Sequence, residues 1–249
     1  MKQGIYKILE NKSLTSDIYL MRLSGDTSSL TRPGQFINIA LEGMFLRRPI
    51  SVCDYNEKEI TIIYKVVGKG TEAMSKMTIG KELDVLCGLG NGFDPDKCGN
   101  NPVVVGGGVG VPPMYGVAKA LISRGKKVTA ILGFNTAKEI FYKEEFEALG
   151  CDVKITTVDG SVGIKGFVTN ALAETEYTDY CACGPEPMLK ALYNATDKPG
   201  QLSFEERMGC GFGACMGCSC KTIYGNKRIC KEGPVLVSEE ILWDKEASK

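Results

Sequence analysis

The chain has 249 residues, with 30 Lys and Arg against 30 Asp and Glu, 30 Gly, 11 Cys and no His. That length allows one large or two modest domains with real cores, and the missing histidine excludes Ser-His-Asp and Cys-His hydrolases, Cys2His2 fingers, Rieske centres and any imidazole base. A formal net charge of zero, with no local basic patch, argues against nucleic acid as a partner.

The first twenty residues mix Lys2, Lys7, Glu10, Lys12 and Asp17 into their apolar positions, unlike a signal peptide. No apolar run approaches the about 18 residues that would span a bilayer, so a soluble, cytoplasmic protein with no membrane partner is expected. In that compartment the eleven cysteines point to metal binding before disulfides.

In chain order, residues 5–9 read as a strand stopping at the polar run 10–13, and residues 17–23 and 35–40 read as further strands. Residues 59–67 are rich in β-branched side chains and end at Gly68. Many short strands between turn residues predict an antiparallel β-barrel or sandwich, ending in the polar stretch 88–102. At Pro102 the pattern changes. Strands at 103–105, 127–134, 152–158 and 180–183 alternate with helices at 113–123, 137–149, 166–173 and 186–195, which predicts an α/β domain with a doubly wound parallel sheet. The expected organisation is therefore multi-domain: a β-barrel over 1–98, an α/β domain over 99–200 and a small C-terminal module over 201–249.

Five of the eleven cysteines lie in the tail, where Cys210, Cys215 and Cys218 stand as C-x4-C-x2-C and Cys230 follows at C-x11-C. The opening spacing is that of plant-type 2Fe-2S ferredoxins. A loop of small residues can wrap a cluster, place thiolates on both irons and leave backbone N–H groups free for the sulfurs. By that analogy Cys210 and Cys215 hold one iron, and Cys218 and Cys230 the other. Cys230 is preferred over Cys220 because a ligand from a separate segment can close the far side. The competing readings are a structural zinc site or unliganded buried thiols.

After the strand at 103–105, Gly106, Gly107, Gly108 and Gly110 form a turn into a helix. Glycine lets backbone approach a pyrophosphate, and the helix start favours anionic charge, although such turns also serve tight strand-helix packing. A second loop, Cys183-Gly184-Pro185, lies at the same carboxyl edge, where such sheets bind ligands. In the barrel, Arg48-Pro49-Ile50-Ser51 stands at a strand start, and Gly68 to Thr71 opens a helix. An arginine beside a helix start suits a pyrophosphate, with a surface ion pair and an ordinary cap as the alternative.

Together these segments resemble the ferredoxin-NADP reductase superfamily, and more closely the electron transfer subunits of type B dihydroorotate dehydrogenases, over essentially the whole chain. The stretches that carry the resemblance are 48–51, 89–93, 106–113, 159–161, 205–218 and 233–235. The resemblance implies an FAD-binding barrel, an NAD-binding α/β domain and a 2Fe-2S module. It implies that Arg48, Pro49, Ile50 and Ser51 contact the flavin and its phosphates, that Ile63, Tyr64 and Lys65 line the isoalloxazine, and that Gly70 and Thr71 hold pyrophosphate. The turn at 106–110 and the Cys183 loop would face the nicotinamide nucleotide. Residues 133–137 offer no arginine for a 2′-phosphate, which favours NAD over NADP.

The implied activity is electron transfer between NAD and a partner FMN-containing dihydroorotate dehydrogenase through the cluster and FAD, in pyrimidine biosynthesis, within a heterotetramer of two of each chain. No orotate-site motif is present, so that substrate belongs to the partner. The alternatives are a flavin and iron-sulfur reductase subunit serving a ferredoxin, a sulfur compound or an oxygenase, and a non-catalytic redox or zinc-binding protein. Lys143-Glu144-Glu145 and Ser238-Glu239-Glu240 read as solvated faces, Trp243 as packing, and Cys53, Cys87, Cys98, Cys151 and Cys181 as small buried residues.

Overall fold

The computed structural model describes residues 1–243; the last six residues of the expected C-terminal module lie outside the described residues. The strands β1 (Lys2–Ser13), β2 (Ile18–Ser24), β3 (Phe36–Ile39), β4 (Arg48–Tyr55), β5 (Glu59–Lys65) and β6 (Glu82–Leu89) close a barrel in the order β1-β2-β5-β4-β3-β6. Every pairing in it is antiparallel. Alternation sends Tyr6, Ile8, Met21, Leu23, Ile37, Ile39, Ile60 and Ile62 inward, and Met74 of the short helix α1 (Lys69–Ser75) plugs the same core. The first strand runs on through the polar residues that were expected to stop it. A bulge between Ile8 and Glu10 resets its register and lets residues 10–13 keep pairing with β2.

The second layer is a seven-stranded sheet. Its parallel part comprises β7 (Val103–Gly107), β8 (Thr129–Phe134), β9 (Asp152–Thr157), β10 (Ile164–Lys165), β11 (Tyr180–Cys183) and β12 (Gly200–Ser203). The helices α2 (Val111–Ile122), α3 (Lys143–Ala148), α4 (Val168–Ala173) and α5 (Glu186–Ala195) connect these strands. Pro112 and Pro113 open α2, where a missing N–H costs no helix bond. The helix expected over 137–149 is broken: a 3-10 turn at Ala137–Glu139 precedes α3, and Tyr142 between them is left-handed at φ 67°. The break turns Phe141 onto Phe134 and Tyr142 onto Tyr115, with ring centroids 5.6 and 5.3 Å apart. Core packing of these aromatic rings outweighs continuous helix.

The tail forms a hairpin, β13 (Ser219–Thr222) with β14 (Gly225–Arg228), and then β15 (Val235–Val237). The large sheet runs β10-β9-β8-β7-β11-β12-β15, with β15 antiparallel to β12. The expected boundary at 200/201 thus falls within β12, and the tail returns to share that sheet.

Three sets of contacts lock the layers together. Helix α2 lies on β4 so closely that a Cβ on Gly116 would stand 2.7 Å from the Cys53 carbonyl, and Lys119 pairs with Asp54 at 2.7 Å. The barrel exit is joined to β12 by Gln201, which accepts from the Asp94 N–H (2.8 Å) and donates to the Asp94 carbonyl (2.9 Å). Asn91 lies between Gly90 and Gly92, both at positive φ. Its side-chain amide donates to the Glu232 and Val235 carbonyls (2.9 and 2.7 Å) and accepts from the Val235 N–H (3.1 Å). Removing that amide strips three interdomain hydrogen bonds at about 1 kcal/mol each. Asn91→Ala is expected to lower the melting temperature of the purified protein by about 6–12 °C in differential scanning calorimetry.

Candidate functional site

The three parts of the chain meet around one large cavity of about 900 Å³. Its barrel wall carries Arg48, Pro49, Ile50 and Ser51 from β4, Ile63, Tyr64 and Lys65 from β5, and Thr71 from α1. Lys65 pairs with Asp17 at 3.1 Å, also on this wall. Tyr64 is buried, its hydroxyl donating to the Asn11 side-chain oxygen (3.0 Å) and its ring stacked on Tyr19. Thr71 caps its own helix, its hydroxyl accepting from the Val67 and Gly68 N–H groups (3.0 and 3.3 Å).

Gly70 does not line the cavity but makes room behind it. A Cβ there would stand 2.1 Å from Nε of Arg48, so the glycine leaves the guanidinium its present place. Arg48 is further held by the Leu46 carbonyl and by Sδ of Met44 (3.1 Å), which turns its charge along the cavity wall.

On another wall stand Gly107 at the end of β7 with Gly108 and Gly110 beyond it, and Cys183 at the end of β11 with Gly184 and Pro185 beyond it. Both loops lie at the carboxyl edge because β7 and β11 are parallel neighbours, with Gly106 paired to Cys183. They touch: a Cβ on Gly110 would stand 2.0 Å from the Cys183 carbonyl oxygen and 2.7 Å from the Gly184 nitrogen. Gly106 lies behind the wall, where a Cβ would meet Val111 Cα at 2.7 Å, and so serves strand-helix packing. Burial pushes the Cys183 thiol up to about 12, although a hydrogen bond with Ser203 opposes the shift. It therefore stays a neutral thiol in this wall at ordinary pH.

Other lining residues escaped the sequence reading. Glu139, in the 3-10 turn after β8, accepts from the backbone and side-chain amides of Asn135 (3.1 and 2.9 Å) and puts a carboxylate at the cavity edge. Its own turn carries no motif, and only its place after a strand end signals it. Phe204, Glu205, Glu206, Met208 and Pro234 close the third side from the tail. Of these, Glu205, Glu206, Met208 and Pro234 stood within stretches the resemblance singled out, without a role.

In the tail, backbone N–H groups of Ala214 and Cys215 point at Sγ of Cys210 (3.2 and 3.4 Å), and that of Cys230 at Sγ of Cys218 (3.4 Å). Burial raises the Cys210 thiol, but donors from Phe212, Cys215 and Ala214 outweigh it and bring it down to about 6. Cys230 is pushed up to about 12 by burial and by Cys218 beside it. The thiols lie close enough to interact, Cys210 with Cys215 and Cys230 with both Cys218 and Cys210. Among the described residues no three His, Cys, Asp or Glu side chains converge closely enough to grip a single ion. Cys220 lies apart on β13, its charged surroundings being Glu206, Glu186 and Glu240. Cys53, Cys87, Cys98, Cys151 and Cys181 are all buried, and Trp243 packs on Phe204 and Tyr193.

Comparison with known proteins gives these walls a context. Residues 205–242 match the iron-sulfur cluster binding domain of dihydroorotate dehydrogenase B, and residues 104–193 the oxidoreductase NAD-binding domain. The chain is 44% identical to the dihydroorotate dehydrogenase B (NAD(+)), electron transfer subunit, of Bacillus pumilus (strain SAFR-032), covering 97% of this chain and 98% of that one. The corresponding subunit of Fusobacterium nucleatum is 42% identical over 93% of this chain and 95% of its own. Among solved structures, a chain of an NADH-dependent reduced ferredoxin-NADP oxidoreductase superposes with a TM-score of 0.87 at 30% identity, over 97% of this chain and 91% of that one. A ferredoxin NADP+ reductase from Neisseria gonorrhoeae shares the fold at 21% identity and a TM-score of 0.67, covering 78% of this chain and 90% of that one. No helix among the described residues is long and apolar enough to cross a membrane. With near-complete coverage at above 40% identity, the chain belongs to the family of electron transfer subunits of NAD(+)-dependent dihydroorotate dehydrogenase B.

Proposed function

We propose that the chain joins NAD to an FMN-containing dihydroorotate dehydrogenase subunit, in a cytoplasmic heterotetramer of two of each chain, and that its large cavity holds FAD against the nicotinamide. The observation that carries this reading is the meeting of all three parts of the chain on that cavity. FAD held there would supply both two-electron exchange with nicotinamide and one-electron exchange with a 2Fe-2S cluster, the adaptor between a hydride carrier and a one-electron centre.

The protein's own residues bind and orient. Arg48, seated against Gly70, offers a fixed guanidinium for pyrophosphate, and Pro49, Ile50, Ser51 and Ile63 to Lys65 form the flat wall for the isoalloxazine. Gly107, Gly108 and Gly110 admit the nucleotide close to backbone at the start of the following helix, with the neutral Cys183 thiol and Gly184-Pro185 beside it. Cys210 and Cys215 hold one iron, Cys218 and Cys230 the other. The backbone N–H donors aimed at Sγ of Cys210 and Cys218 suit the thiolates of such a cluster. On this division, 1–98 is the FAD part, 99–200 the NAD part and 201–249 the cluster part.

A second reading, a subunit of similar build serving another acceptor such as ferredoxin, draws on the 30% identical chain of a ferredoxin-NADP oxidoreductase. Co-expression with an FMN dihydroorotate dehydrogenase chain separates the two: a stable complex with dihydroorotate-dependent NAD⁺ reduction supports the first, and failure to associate supports the second.

Serine at Cys210, Cys215, Cys218 or Cys230 is expected to abolish acid-labile sulfide in the purified protein while flavin is retained, whereas Cys220→Ser keeps both. Iron and sulfide assays check this, and a colourless zinc protein would contradict the reading. Gly110→Ala forces its methyl onto the backbone at Cys183 and is expected to raise the KM for NADH about tenfold, from an overpacking cost of about 1–3 kcal/mol. Glu139→Arg replaces a carboxylate that would repel a 2′-phosphate and is expected to shift the NADH-to-NADPH preference by about tenfold in kcat/KM.

A further inference from the structure

Strand β3 has two faces. Ile37 and Ile39 point into the barrel core, so Phe36 and Asn38 point outward. That outward face is covered rather than solvated: Phe36 packs in the cluster of side chains that contains Cys218, Ile229 and Cys230, and Asn38 is only 1% exposed. Asn38 is thus a polar residue in a place where its neighbour on the same face is aromatic.

The amide is half satisfied. Its Nδ2 donates to the carbonyl oxygen of Cys210 (3.3 Å), while Oδ1 is buried and has no hydrogen-bond partner among the described residues. The next residue, Gly211, is at φ +78° and comes so near that a Cβ would stand 2.3 Å from the same Nδ2. The strand beneath is anchored as well. Arg47 donates to the Asn38 carbonyl (3.4 Å) and is itself paired with Asp84 at 2.7 Å. Across the ladder Asn38 faces Pro49, which lines the large cavity.

Burying an amide with one acceptor unpaired costs about 1–3 kcal/mol, and the bond to the Cys210 carbonyl offsets that only in part. The contact that distinguishes the asparagine is its bond to the Cys210 peptide. We propose that Asn38 is a positioning residue that pins the Cys210 peptide to the flavin-side strand and thereby sets the cluster's potential and its electronic contact with the flavin. The proposal rests on the reading of Cys210 as a cluster ligand. When the holoprotein is reduced by NADH, the step concerned is the passage of one electron from reduced flavin to the oxidised cluster, the electrons having entered as a hydride; flow toward NAD⁺ uses the same contact in reverse.

The test uses the full-length holoprotein with Asn38→Leu, which removes the amide, and Asn38→Asp, which keeps its shape but loses the donor. Iron, sulfide and flavin contents, the EPR spectrum of the dithionite-reduced cluster, its midpoint potential, and stopped-flow reduction by NADH are measured. Both variants are expected to load flavin and cluster and to reduce flavin at the wild-type rate. Their EPR spectra and potentials are expected to be displaced, and cluster reduction slowed at least about threefold. Wild-type spectrum, potential and cluster reduction in either loaded variant would overturn the proposal, as would loss of flavin and cluster together from both, which would make the amide a folding element. Cys210→Ser in the same series separates the two layers: an unchanged spectrum there removes the ligand reading itself, whatever Asn38 does.

Discussion

The side-chain amide of Asn91 ties the barrel to the cysteine-rich tail. It bridges the glycine turn at the barrel exit to both carbonyls that flank Gly233-Pro234, and receives the Val235 N–H in return. The turn is shaped for this approach, because a Cβ on Gly90 would stand 2.5 Å from Pro234. Immediately beyond, residues 235–237 pair with β12 and enter the large sheet. The tail is therefore tied to both other parts within a few residues. Groups that exchange electrons must keep fixed separations, and a tail on a flexible linker could not provide them.

The same economy governs the cavity. Its walls come from strand and helix ends whose relative positions are set by close backbone approaches at Gly110 and Gly116, while Gly70 leaves room for the Arg48 guanidinium. None of these contacts performs acid-base chemistry. That agrees with a chain without histidine, whose cavity thiol, Cys183, is held neutral by burial. Orientation and electrostatics are what a cofactor-dependent electron carrier asks of its protein.

Much of this was readable from the residues, for physical reasons. Period-2 and strand-helix patterns survive in sequence because each strand has one or two buried faces, and they gave the barrel and the parallel sheet. The cysteine spacing reads directly because a ligand loop is local. Three things were hidden. The split of the helix expected over 137–149 arises from aromatic contacts between Tyr142 and Tyr115, 27 positions apart in the chain, which no local pattern encodes. The return of 235–237 to the sheet is a long-range pairing of a three-residue strand. Glu139 and Asn38 carry their meaning only through what folding brings beside them: the cavity edge for one, the Cys210 peptide for the other. Gly106 looked like a nucleotide contact and Gly70 like a pyrophosphate holder, yet both glycines stand behind the wall and give space to Val111 and Arg48.

The central claim is that one chain joins a two-electron and a one-electron centre to NAD. Anaerobic titration of the purified protein with NADH, followed by visible absorption and EPR, tests it most directly. The account expects uptake of three electrons per chain, about 1.5 equivalents of NADH, with flavin bleaching and the signal of a reduced 2Fe-2S cluster. Saturation after one equivalent with no EPR signal, or no spectral change at all, would contradict it.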